Sequence, residues 1–230
     1  TLTPYDCVLC GGNSGSGSNL CSICRKDLPL IRQPCHYCGV ETGQSADQLL
    51  CGPCILRKPV FNRCVAAMSY ASPADQLISQ FKFNDNFAAG LALGEVLALE
   101  FKSHCSFYGY PDAIIPIPLH QLRLKKRGFN QALELAKQLS YSTGVPVFNN
   151  TLTRIKNTVP QTEIKRAGLR KSNLKKAFTC IDLLGQGNAK HIALVDDVVT
   201  TGATLNEAAR TLFINGAERV DCFCIARANR

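Results

Sequence analysis

The chain has 230 residues, 46% of them apolar, a mean hydropathy of zero and a formal charge of +9. That length suits one ordinary domain plus something small, and the apolar share is enough for a packed core. No run approaches the ~18 consecutive apolar residues of a membrane span, and the opening TLTPYDC lacks the charged-then-apolar pattern of a secretory signal, so a cytoplasmic protein with no membrane span is expected.

The first sixty residues are dominated by cysteine. Eight of the thirteen fall in four CxxC pairs, Cys7/Cys10, Cys21/Cys24, Cys35/Cys38 and Cys51/Cys54. An odd total without an export signal points to a reducing compartment, where clustered CxxC pairs mean metal rather than disulfides. Gly11 and Gly39 follow the first and third pairs, where a backbone turn toward sulfur is needed. That alternation favours two sequential ribbons, each holding one tetrahedral Zn²⁺ through four thiolates; interleaved pairing of the CxxC units is the alternative. One or two structural zinc ions are expected in a module spanning residues 1–62. His36 lies inside a CxxC and is expected on the surface, since four thiolates already fill a site. The remaining cysteines, 64, 105, 180, 222 and 224, lie in apolar stretches and read as small core residues.

From residue 63 onward strands and helices alternate. CVAAMSY (64–70) reads as a strand, followed by a helix from Pro73 to about Phe83 and a longer one from Phe87 to about Lys102. DAIIPIP (112–118) is a buried strand closed by prolines, and apolar residues at 132, 135, 136 and 139 mark one face of a helix. HIALV (191–195) is a continuous apolar strand of the kind found in parallel sheets covered on both faces. It leads through DDVVTTGAT to a helix with Leu205, Ala208, Ala209 and Leu212 on one face, ended by Gly216, and to a last strand, RVDCFCIA (219–226). The class is α/β, with a central mostly parallel sheet flanked by helices over 63–230.

The stretch LVDDVVTTGAT poses a chemical problem. Thr200, Thr201, Gly202, Ala203 and Thr204 can aim N–H groups and hydroxyls at a phosphate ahead of a helix N-terminus. Asp196 and Asp197 would repel that phosphate. A ligand with two ends resolves this, with a phosphate for the turn and hydroxyls or a bound metal for the acids. Basic residues are concentrated elsewhere: between His120 and Lys190 fourteen Lys/Arg face three acids, a local balance of +11.

ALVDDVVTTGAT resembles the 5-phosphoribosyl-1-pyrophosphate (PRPP) signature of type I phosphoribosyltransferases. The resemblance implies that Asp196 and Asp197 hold the ribose 2′- and 3′-hydroxyls, directly or through Mg²⁺, while Thr200 to Thr204 cradle the 5′-phosphate. PIPLHQLRLKKRGFNQALELA (116–136), QTEIKRAGLRKSNLKKAF (161–178), FKFNDN (81–86) and the upstream cysteines together resemble the ComF (ComFC) competence-protein family across essentially the whole chain. That family implies a cytosolic bacterial protein of natural transformation acting on incoming single-stranded DNA, with relatives linked to use of DNA as a nutrient. In this fold the loop after the 112–118 strand binds pyrophosphate, which places His120 and Arg123 nearby and makes Arg127 the best candidate clamp, with Asn130 and Gln131 orienting their neighbours. Residues 154–176 suit a mobile hood from which Arg166 and Arg170 would reach the pyrophosphate. Lys82 either contacts ligand or extends outward from a core helix.

One departure limits the chemistry. Oxopurine salvage enzymes have an aspartate base at the position of Thr200, and threonine cannot take a proton at neutral pH. No other base declares itself, so the acceptor of a glycosyl transfer is not readable. Three readings follow: a phosphoribosyltransferase, a PRPP- or DNA-binding adaptor, and a scaffold recruiting a DNA-uptake helicase. The chain has no Trp, and no aromatic stacking platform is evident from the sequence.

Overall fold

The computed structural model describes residues 6–15, 17–43, 49–83, 86–156, 176–181, 183 and 188–228. Two short helices, α1 (Ser22–Lys26) and α2 (Gly52–Leu56), belong to the cysteine-rich part. The rest is built from β1 (Arg63–Ser69), α3 (Ala74–Phe83), α4 (Phe87–Tyr108), β2 (Ala113–Pro116), α5 (Gln121–Arg127) and α6 (Gln131–Thr143), then β3 (Leu152–Arg154), β4 (Phe178–Cys180), β5 (His191–Val199), α7 (Ala203–Ile214) and β6 (Arg219–Arg227).

Four strands form one parallel sheet in the order β1-β6-β5-β2. The chain crosses from β1 to the far edge at β2 by way of α3 and α4, then steps back through β5 and β6. Parallel strands need such helical crossovers, and the helices cover both faces. Side chains alternate accordingly. Ile114, Ala193, Val195, Phe223 and Ile225 pack under α3, α4 and α6. Ala113, Ile115, Ile192, Leu194, Cys222 and Cys224 pack under α7. Cys64, Cys105, Cys222 and Cys224 are buried as expected, and β3 pairs antiparallel with β4 beside the α7 core.

The cysteine-rich part is fastened to this body at several points. Cys7, Leu20 and Leu28 join the core under α4, and Arg25 meets Glu95 of α4 at 2.7 Å. Residues 29–31 run antiparallel to β1, with Ser69 N donating to the Pro29 carbonyl and Leu30 bridging Met68. The β1 edge, an aggregation liability if bare, is therefore covered.

Candidate functional site

Asp196 and Asp197 lie on β5 itself, because pairing with β6 continues from His191 to Val199. The strand thus runs past the apolar 191–195 segment and carries both acids to the carboxyl end of the sheet, where ligands of such folds bind. Each acid engages the next amide: Asp197 N donates to Asp196 Oδ1 at 2.9 Å, and Val198 N to Asp197 Oδ1 at 2.6 Å. Asp197 Oδ2 is 2.9 Å from Lys82 Nζ at the end of α3. Burial, and then the Asp197 charge, push the Asp196 carboxyl up to about 7, against the pull of the Asp197 amide, Lys82 and Arg154.

The turn behind the acids leads into the N-terminus of α7. Gly202 is the N-cap of α7 with φ +72°, a left-handed conformation that glycine adopts without strain. Asn206 N closes the first helical bond on its carbonyl at 2.9 Å, and Ala203 N donates to Thr201 Oγ1 at 3.2 Å. First-turn N–H groups lack intrahelical acceptors, and the helix dipole adds positive potential there. Thr200, Thr201, Gly202, Ala203 and Thr204 thus form one loop and helix start.

Across from β5, the parallel pairing of Pro116 with Val195 sets the 117–120 loop beside Asp196. Asn130 caps α6 through Ala132 N and donates Nδ2 to the Ile117 carbonyl at 3.1 Å. His120 caps α5, its Nδ1 accepting from Leu122 N at 3.3 Å. Arg127 ends α5, donates to Gln131 Oε1 at 2.9 Å and lies 5.5 Å from the centre of the Phe83 ring. Arg154, at the end of β3, was not singled out by its sequence context. Burial and the charge of Arg123 lower its pKa, while Asp196 raises it, so Arg154 stands near both the Arg123 guanidinium and the Asp196 carboxyl. Like charges held together this way suit a polyanion. Arg166 and Arg170, with most of the 154–176 hood, lie outside the described residues.

The eight cysteines assemble in sequential order, Cys7, Cys10, Cys21 and Cys24 in one cluster and Cys35, Cys38, Cys51 and Cys54 in the other, with the sulfurs of each within 4.8 Å of one another. The interleaved alternative is thereby set aside. Contacts of 3.9 Å between Cys10 and Cys21 and 3.5 Å between Cys38 and Cys51 match the edge of roughly 3.8 Å that Zn–S bonds of about 2.3 Å give a tetrahedron. Cys24 N and Cys51 N lie 3.4 Å from the sulfurs of Cys21 and Cys35, as thiolates require. These donor sets fit structural zinc, and His36 stands outside both.

Residues 1–55 match the double zinc ribbon domain and residues 96–230 the phosphoribosyl transferase domain. The chain is 36% identical to Competence protein F of Haemophilus influenzae, over 97% of each chain. The chain belongs to the ComF competence-protein family. Within that family it is also similar to DNA utilization protein YhgH of Escherichia coli K12, with 37% identity over 97% of each chain. Its identity with Competence protein ComFC of Bacillus subtilis is 30%, over 91% of this chain and 78% of that one. This ComF chain is thus an α/β phosphoribosyltransferase fold preceded by a small double zinc ribbon. No described helix is long and apolar enough to cross a membrane.

Proposed function

We propose that this protein binds PRPP with Mg²⁺ and serves DNA uptake in the cytosol, on or near incoming single-stranded DNA. The observation that carries this reading is the carboxylate pair of β5 leading into the Gly202 loop, with Lys82 and Arg154 beside the acids and Arg123 near Arg154. The 5′-phosphate takes the amides and hydroxyls of residues 200–204, and the ribose hydroxyls or Mg²⁺ take Asp196 and Asp197. Lys82 pairs with Asp197; with Mg²⁺ or a ribose hydroxyl held by that carboxylate, Lys82 would be free to turn toward a phosphate oxygen. The pyrophosphate faces Arg123 and Arg154, joined by Arg127, Arg166 and Arg170 when a hood over 154–176 closes. The division into a zinc module at 1–62 and a catalytic-type domain at 63–230 belongs to the same proposal.

The competence and DNA-utilization names of its relatives support the DNA half. So does a surface that the sequence did not make evident. Phe83 and Phe87 are 68% and 55% exposed, Phe129 packs against Phe87 at 5.3 Å, and Arg127 lies over Phe83. Lys125 and Lys126 continue α5 beside it. Exposed rings with basic neighbours suit unpaired bases and their phosphates. With Thr200 unable to act as a base, a non-catalytic PRPP- or single-stranded-DNA-binding adaptor of the DNA-uptake machinery is the second reading.

Calorimetric titration tests the PRPP half. Zinc-loaded native protein is expected to bind PRPP with Mg²⁺ at about micromolar Kd, and Asp197→Asn to weaken this at least about tenfold. A folded, zinc-loaded native protein that takes up no PRPP would sink the reading.

A further inference from the structure

Arg227 ends β6 with its side chain turned inward, only 6% exposed. Its Nε donates to the Cys38 carbonyl at 3.0 Å. Its Nη1 donates to the Val199 carbonyl at 2.9 Å and to that of Thr200. These acceptors, with Ala228, are all main-chain carbonyls. Cys38 is a sulfur donor of the second cluster and Thr200 opens the phosphate loop. One buried guanidinium therefore ties a metal knuckle to the start of an anion site.

Other contacts join the same two parts. Val60 N, in the segment leaving the second cluster, donates to Asn206 Oδ1 in the first turn of α7 at 2.6 Å. Phe61 is buried under the loop, about 4.0 Å from where a Cβ on Gly202 would sit. The knuckle is itself held against β1: Cys64 N donates to the Tyr37 carbonyl, and a Cβ on Gly39 would come within 2.5 Å of the Cys64 carbonyl. The first cluster is tied elsewhere, through Arg25 and Ser18 to Glu95 of α4.

We infer that the second cysteine cluster positions the phosphate loop through Arg227, while the first ribbon has no part in it. Backbone amides bind an anion well only when they are already aimed at it, and loop order gained in advance is affinity gained. The Val199 and Thr200 carbonyls are held by Nη1 of a guanidinium whose Nε is held by the Cys38 carbonyl. A knuckle released by metal loss leaves that buried cation short of an acceptor, which is costly, and the junction must rearrange to restore one. Occupancy of one metal cluster thereby becomes a condition for sugar-phosphate binding. The binding consequence rests on the PRPP reading; the mechanical coupling rests on the contacts alone.

Hydrogen exchange of amides 199–206 in the full chain, read with zinc content and titration of ribose 5-phosphate, tests this. Arg227→Met is expected to retain both zinc ions yet exchange there about tenfold faster, with Arg227→Lys intermediate. Cys51→Ser, which opens the second cluster, is expected to lose metal there and to speed exchange of the same amides, with ribose 5-phosphate affinity falling in step. Arg25→Ala, which removes one tie of the first ribbon to α4, is expected to leave these amides unchanged. Native-like exchange in Arg227→Met overturns the inference, and so does equal acceleration in Arg25→Ala. If Cys51→Ser does not fold, the two Arg227 variants decide. If exchange follows the expected pattern but native protein binds no ribose 5-phosphate, the coupling stands and the PRPP reading fails.

Discussion

Asp196 is placed where burial opposes ionisation of its carboxyl. Its carboxyl, ordinarily near 3.8, is pushed up to about 7 by burial and by Asp197. An acid with a raised folded pKa keeps its proton longer in the folded state than in the unfolded one. Its stabilisation is therefore fully present below about pH 4 and is lost as pH rises through about 7. Asp196→Asn is expected to raise stability at pH 8 by about 1–2 kcal/mol, to have little effect near pH 4, and to weaken PRPP binding. Thermal unfolding at the two pH values checks this; a destabilised variant at pH 8 would contradict it. The paired acids and the TTGAT turn were legible in the sequence because their chemistry is local, contained in nine consecutive residues from Asp196 to Thr204. Arg154 and Arg227 were not. Arg227 earns its role only by meeting Cys38, 189 positions away, and nothing in FCIARANR announces that contact.

Helix α4 shows what an element contributes to a site it does not touch. Gly90 and Gly94, one turn apart, let α3 and α6 approach closely. A Cβ on Gly90 would come within 2.5 Å of the Phe81 ring, and one on Gly94 would meet the Gln138 carboxamide, which donates to the Gly90 carbonyl at 3.2 Å. Phe81 is next to Lys82, so this packing sets the reach of Lys82 to Asp197. Gly90→Val is expected to cost about 1–3 kcal/mol by overpacking and to weaken PRPP binding as Lys82 shifts. Denaturant unfolding paired with PRPP titration checks it; unchanged stability and affinity would contradict the packing account. The long strands and α4 were legible from apolar pattern, though α4 runs to Tyr108, beyond the expected end near Lys102, with Cys105 still buried. Helix α5 escaped notice for a physical reason. QLRLKKR buries none of its residues, so it has no core-facing stripe; the His120 cap and Gly128, with φ +80°, set its ends.

At the scale of the molecule, composition separated a cysteine-rich start from a basic α/β body. It did not show that the second ribbon meets residues 199–206, because those meetings are buried contacts rather than pattern. The net charge of +9 and the Phe83–Phe87–Arg127 surface lead to a prediction about DNA. Binding of a single-stranded oligonucleotide, followed by fluorescence anisotropy, is expected to weaken with log salt at a slope of about −0.7 per phosphate contacted. Phe83→Ala should lower affinity about tenfold with the slope unchanged, since a ring stacks on bases and carries no charge. A flat salt response, or a Phe83→Ala variant that binds like the native protein, would contradict DNA binding at this surface. The central claim is the sugar-phosphate site, and a crystal structure with PRPP and Mg²⁺ tests it most directly. The account predicts the 5′-phosphate on residues 200–204, the ribose side at Asp196 and Asp197 with Lys82 displaced from Asp197, and the pyrophosphate facing Arg123 and Arg154. PRPP bound elsewhere, or carboxylates still paired with Lys82 in a crystal saturated with PRPP, would contradict it.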